Sequence, residues 1–280
     1  MKKRKLFCEY GRVCYEISLL KEYALRDFKD MISSLRGKKT AKEISAEKLP
    51  VIIKGHCSVI ARRLAGVDMQ LQYNKETNLM IAAECINGVI IKPNEYFSFW
   101  KLVGKPDPKK GYLEGLTISG SRLGKASGGG LCQLANLIHW LVLNSPLEVT
   151  ELHHHSDALF PDERRRVPFG TGTSVFYKNV DYRFRNTLNE PVQLLVWVDK
   201  GVLYGELRSL SPCKLRYVIR EEGHCFVKED DDYFRCSKIY RDVIDRDSGA
   251  LVRTELILEN HSRVMYDHSL IPKEEISENV

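Results

Sequence analysis

Cys132 stands where a nucleophile is readily made. It follows Ser127-Gly128-Gly129-Gly130-Leu131 and, with Gln133, opens the apolar run Leu134 to Leu143. Glycines permit positive φ and let a ligand's main chain come close, and the periodic apolar residues after them predict a helix with Cys132 in its first turn. Unpaired N–H groups and the positive dipole end favour the thiolate there, the species that attacks acyl carbon, so a pKa below the reference of about 8.5 is expected. The opposing reading is an ordinary glycine loop followed by a small buried thiol, the usual state of a free cysteine.

Leu134, Leu137, Ile138 and Leu141 form the stripe that must bury, whereas Cys132, Asn136 and His139 share a second line. His139 is two turns from Cys132, roughly 10 Å at about 1.5 Å per residue, so a base for the thiol must come from elsewhere. Downstream lies Glu151-Leu152-His153-His154-His155-Ser156-Asp157, after a strand-like segment from Leu147 to Leu152. On an extended chain His153, His155 and Asp157 share one side. Period-2 segments at Thr173 to Tyr177 and Tyr182 to Phe184 predict paired antiparallel strands, with Asp181 between them, and Val192 to Val198 predicts a further strand. The order Cys132, His155 (or His153), Asp181 is that of papain- and transglutaminase-like thiol enzymes, in which histidine takes the thiol proton and a carboxylate orients the ring.

These residues and their neighbours carry a resemblance. Phe97-Ser98-Phe99-Trp100, Gly111-Tyr112, Gly128 to Gln133, His153 to Ser156, Val167-Pro168 and Asp181 to Asn186, with Asn78 and Ile86-Asn87-Gly88-Val89, resemble the VanW family over about residues 50 to 200. The resemblance implies a role around the bacterial cell wall or glycopeptide resistance. It places the family's glycine-cysteine-glutamine motif on Gly128, Gly129, Gly130, Cys132 and Gln133, its histidine-serine pair on His155 and Ser156, and its aspartate-aromatic-arginine segment on Asp181 to Asn186. Two departures stand out: Pro93-Asn94-Glu95 replaces proline-glycine-glutamate, and Gly172-Thr173 replaces aspartate-alanine. The second removes a carboxylate and shifts the expected third catalytic residue to Asp181.

The elements that must position these groups predict an α+β fold: helices at about 17 to 36, 57 to 65, 75 to 87 and 131 to 144 against an antiparallel sheet drawn mostly from residue 89 onward, with the cysteine-bearing helix set against the sheet. Expected divisions are a basic helical region at 1–48, a family-like domain at 49–205 and a β-rich extension at 206–280 with a disordered end. Glu222-Gly223 and Asp247-Ser248-Gly249 are hairpin signals in that extension. A chain of 280 residues that is 43% hydrophobic can bury one large core. No run near 18 apolar residues exists, and Met1-Lys2-Lys3-Arg4-Lys5 is not followed by a long apolar segment, so a cytoplasmic location is expected. Eight cysteines in that setting read as reduced thiols.

The charge excess sits in residues 1 to 48, which hold 13 Lys and Arg against 7 Asp and Glu. Leu20, Ala24, Phe28, Met31, Ile32 and Leu35 recur there at helical spacing, with Gly37 as C-terminal cap. Such a helix either touches anionic lipid through residues 17–36 or covers the main core with its lysines solvated. Nucleic acid is not an expected partner, because no binding motif or aromatic-laced basic stripe occurs.

Three function classes follow. In the first, a hydrolase or acyltransferase acting on a wall-type peptide or amide, Cys132 attacks, His155 shuttles the proton, Asp181 orients it and N–H groups at Gly130 to Cys132 hold the oxyanion. Gly128, Gly129, Gly130, Gln133, His153 and Ser156 would bind substrate, and Arg164 to Arg166 would capture it. In the second, His153, His155 and Asp157 hold a metal, although the histidine that a metallo-hydrolase would place after the aspartate is Ala158. Cys213, Cys225 and Cys236 lack any CxxC pair, and no metal or other cofactor is expected. In the third, the chain is a non-catalytic module that binds a wall precursor or partner protein.

Overall fold

The computed structural model describes residues 6–61, 68–119, 122–154, 157–158, 161, 167–168 and 170–277. In chain order the elements are α1 (Arg12–Leu35), β1 (Glu43–Ile44), β2 (Val51–Val59), α2 (Met69–Glu84), β3 (Val89–Ile91), β4 (Tyr96–Ser98), α3 (Phe99–Val103), β5 (Glu114–Ser119), β6 (Arg122–Ser127) and α4 (Cys132–Leu143). They continue with β7 (Glu148–Glu151), β8 (Asp157–Ala158), β9 (Arg183–Arg185), β10 (Val192–Asp199), β11 (Val202–Ser209), β12 (Leu215–Glu229), β13 (Asp232–Asp245), β14 (Leu251–Val264) and β15 (Ile276–Ser277). The architecture is α+β with mainly antiparallel sheets, as the sequence predicts.

The first sheet has the order β1-β3-β10-β11-β2 and is antiparallel throughout. Val192 to Val196 are consecutively buried, the mark of a strand covered on both faces. The one polar residue in that run, Gln193, is satisfied: its amide donates to Ser45 O and Glu47 O, and its oxygen accepts from Leu49 N. β11 alternates instead, and helix α4 lies across β11 and β2. Its predicted stripe of Leu134, Leu137, Ile138 and Leu141 is buried. Gly205 in β11 makes the approach possible, because a Cβ there would come within 2.6 Å of Leu137 and 3.0 Å of Leu141.

A second, three-stranded sheet has the order β4-β9-β7, with Phe97 stacked on Phe184 at 4.7 Å between ring centroids. The third is a long ribbon, β12-β13-β14, with short parallel partners β15 and β8 at its edges. Strands β5 and β6 form a hairpin that leads into the glycine loop.

Several expectations are corrected. Residues 57–59 end strand β2 rather than starting a helix, since Val51-Ile52-Ile53 is β-branched and the strand pairs with β11 along its length; residues 62–67 lie outside the described residues. Helix α2 begins at Met69, well before 75, because the Asp68 side chain caps it by accepting from Gln70 N at 2.9 Å. Residues 173–177 contribute one bridge, Phe176 to Val180, while β9 pairs with β4 and β7 instead. Glu222-Gly223 is a bulge inside β12, with Gly223 at φ 62°, whereas Asp247-Ser248-Gly249 is the turn expected between β13 and β14. The first sheet takes β1 from residues 43–44 and runs to Ser209.

Candidate functional site

The glycine loop is a packing joint. Asn78 of α2 is fully buried, and its amide donates to Leu113 O and Gly129 O at 3.0 Å each, while its oxygen accepts from Leu113 N. The backbone of Gly129 rests on Gly115, where a Cβ would lie 2.1 Å from the carbonyl carbon. Gly130, at φ 95°, lies under the stem of Lys75, and Gly128, at φ 75°, under Pro106. Protein atoms thus fill the space the glycines open.

Cys132 is the first residue of α4, as predicted. It packs partly buried against the core, and its sulfur donates to Val175 O at 3.8 Å. Burial pushes the thiol up, which outweighs the backbone hydrogen bonds at Val175 and at Cys132 itself that work the other way. This direction is opposite to the lowering expected from the helix terminus, because burial in apolar surroundings works against the thiolate. Among the described residues no histidine bonds this sulfur. Gln133 ties α4 to β2, donating to Ser58 Oγ and Val59 O at 2.9 Å. Asn136 accepts from Thr173 N at 2.7 Å. His139 is fully buried with Nδ1 at 3.1 Å from the Tyr182 hydroxyl, and burial pushes its pKa down to about 3, which keeps it neutral.

The backbone oxygen of His153 accepts from Ser174 N at 2.7 Å, so residues 173–175 run between Cys132 and His153. The His153 ring turns the other way, with Nε2 at 3.2 Å from Glu151 Oε1. His154 Nδ1 lies 3.1 Å from Gly170 O, and burial lowers its pKa. His155, Ser156 and the arginines at 164–166 lie outside the described residues. Among the described residues no group of three metal-type ligands occurs.

Asp181 is buried, and its two oxygens are occupied by Ser98 Oγ (2.6 Å), Trp100 N (3.1 Å), Tyr182 N (2.9 Å) and Arg183 Nε (2.6 Å). These bonds join the start of α3 to β9. Among the described residues its partners are hydroxyl, backbone and guanidinium groups.

Sequence reasoning missed what lies beyond Arg183. Its guanidinium reaches Asp30 of α1 with bonds of 2.6 and 3.0 Å, and Arg26, one turn earlier, grips Glu151 with bonds of 2.7 and 2.6 Å. Lys178 pairs with Asp27, and Tyr23 meets Tyr177 edge to face at 5.9 Å. Burial alone would raise the pKa values of Asp30 and Glu151, but the bound guanidiniums outweigh it and hold both low. Between α1 and the second sheet this leaves a cleft of about 430 Å³, lined by the cations Arg26, Lys29, Arg36, Lys38, Lys101 and Arg183 against the carboxylates Asp30 and Glu151. Arg26, Arg183 and Lys101 are paired internally, and the Lys38 ammonium sits 5.3 Å from the centroid of the Tyr96 ring. Among the described residues Lys29 and Arg36 have no carboxylate partner, so the cleft keeps an excess of positive charge. The signal that could have revealed it is the charged line Arg26, Asp30 at helical spacing opposite the apolar stripe of α1.

Residues 74–208 match the model of a family described as VanW like protein. The chain is 29% identical over 226 residues to the vancomycin B-type resistance protein VanW of Enterococcus faecalis, an alignment that covers 81% of this chain and 82% of that protein. It is also 29% identical over 119 residues to the uncharacterized protein YoaR of Bacillus subtilis, covering 42% of this chain and 38% of that one. No solved structure matches it.

Proposed function

We propose that this chain, which matches the VanW like protein family over residues 74–208, serves glycopeptide resistance as a binding protein for an anionic cell-wall precursor, held in the cation-lined cleft between α1 and the second sheet. The family's link to vancomycin resistance comes through the Enterococcus relative. The cleft carries the reading: six cations face two carboxylates, and its floor is fixed by the bidentate pairs of Arg26 and Arg183. Lys29, Arg36 and Lys38 then meet phosphate or carboxylate groups without breaking the docking of α1.

Calorimetric titration with a nucleotide-linked muramyl pentapeptide, which carries both a diphosphate and carboxylates, tests it. Saturable binding is expected, weakened at least about tenfold by Lys29→Glu with Arg36→Glu and unchanged by Cys132→Ala. Absent binding, or binding indifferent to both charge reversals, overturns it.

A thiol-dependent hydrolase or acyltransferase is the second reading. It is favoured by the place of Cys132 at the first turn of α4 and by the run 173–175 linking it to His153. Sub-stoichiometric alkylation near pH 6.5 separates the two. Preferential labelling of Cys132 over the other seven cysteines, with precursor turnover lost in Cys132→Ala, supports the enzyme; a protected Cys132 supports the binding protein.

A further inference from the structure

Helix α1 is docked with its polar side inward. At 100° per residue, Val13, Ile17, Leu20, Ala24, Phe28, Met31 and Leu35 fall within an arc of roughly 80°. All face solvent: Val13 is 71% exposed, Leu20 65%, Phe28 55% and Leu35 80%. The stripe runs about 33 Å along the helix at about 1.5 Å per residue. Leu6, Phe7 and Tyr10, just before the helix, are exposed as well. An uninterrupted apolar line of this length is larger than scattered exposed side chains explain.

Charge decides what covers it. Within α1 four cations (Arg12, Lys21, Arg26, Lys29) balance four carboxylates (Glu16, Glu22, Asp27, Asp30), so the excess lies at the ends. The sequence places Lys2, Lys3, Arg4 and Lys5 ahead of the helix, and Arg36, Lys38, Lys39 and Lys42, all exposed, follow it. Pairing two copies through this stripe, parallel or antiparallel, brings basic ends together. An anionic lipid surface neutralises both ends while its acyl boundary accepts the line between them. Among the described residues no helix is long and apolar enough to cross a membrane, in keeping with a helix that lies flat.

From this we infer that α1 is an interfacial anchor that seats the protein on anionic lipid, with its apolar stripe in the acyl boundary and the cleft on its opposite side. The inference does not rest on the identity of the cleft's ligand.

Flotation of the full chain with vesicles of phosphatidylglycerol and phosphatidylcholine tests it, beside vesicles of phosphatidylcholine alone. Binding is expected only to the anionic vesicles and should fall with added salt. Phe28→Glu with Met31→Glu should weaken it at least about a hundredfold, and Lys39→Glu with Lys42→Glu about tenfold. All four residues are exposed and, among the described residues, their side chains make no bond to the core, so circular dichroism should match the parent chain. Equal binding to both vesicle types, indifference to Phe28→Glu with Met31→Glu, or a lipid-free dimer in sedimentation that these two substitutions dissociate would each overturn the assignment.

Discussion

Helices α1 and α4 both carry an apolar stripe at helical spacing, and the protein turns one inward and the other outward. Beneath α4 lie β11 and β2, with Gly205 clearing room for Leu137 and Leu141. Beneath α1 lie Glu151, Lys178, Asp181 and Arg183, which have charge to match and little apolar surface to offer. Periodicity determines which residues share a face; the surface waiting under the helix determines which face is buried. The same contrast separates two sets of chemistry-bearing residues: the glycine loop and Cys132 belong to the packed joint, and the charged cleft belongs to α1.

The sharpest way to break this comparison is on α4. Leu141→Ala, at a fully buried position, should cost about 3 kcal/mol in urea unfolding. A loss below about 1 kcal/mol would mean that α4 is not the core helix described.

Next is the joint between the two regions. Arg183→Ala leaves the buried Asp181 without its cation and Asp30 with Lys101 alone, and should cost about 2–3 kcal/mol, read in the same assay. If Asp181 served only to orient a catalytic group, this substitution would leave stability nearly unchanged.

Acid gives a graded test of α1. Asp30 and Glu151 have lowered pKa values when α1 is docked, so the undocked state binds more protons as pH falls. Their contribution is fully present above the ordinary carboxylate pKa values of about 4 and is lost as pH drops through the lowered ones. Near-ultraviolet circular dichroism from Trp100, Tyr177 and Tyr23, which contact one another across this joint, should hold from pH 7 to about 5 and decay below about 4, with α4 still folded. Decay that begins near pH 6.5 would point to the histidines instead.

The smallest effect is expected on the stripe itself. Leu20→Asp should change unfolding free energy by less than about 0.5 kcal/mol, because the side chain touches water in the folded protein too. A cost like that of Leu141→Ala would show that α1 buries its apolar side in solution.

What could be read in the sequence follows the same division. The stripe of α4, the cap at Gly37, the strand at 192–198 and the turn at Asp247 to Gly249 are local patterns, and the structure has them. Strand β2 escaped because Gly55 and His56 interrupt its alternation, and its pairing with β11 spans some 150 residues of sequence. The described partners of Asp181, Ser98 and Trp100, lie more than 80 residues upstream, so residue order alone could not reveal them. The cleft was invisible for a related reason: charges on a helix read as solvated unless their partners are known, and Arg26 and Asp30 find theirs 125 and 153 residues away.

Those separations have a consequence for the making of the protein. At about 5–20 residues per second, α1 leaves the ribosome roughly 8–30 seconds before Arg183 does. For most of that interval it has neither Glu151 nor Asp30's guanidinium to hold it, while its line of leucine, phenylalanine and methionine is already complete. A nascent chain in that state is open to capture by chaperone or bilayer, so the order of synthesis itself favours a helix that finds its surface first and its protein second.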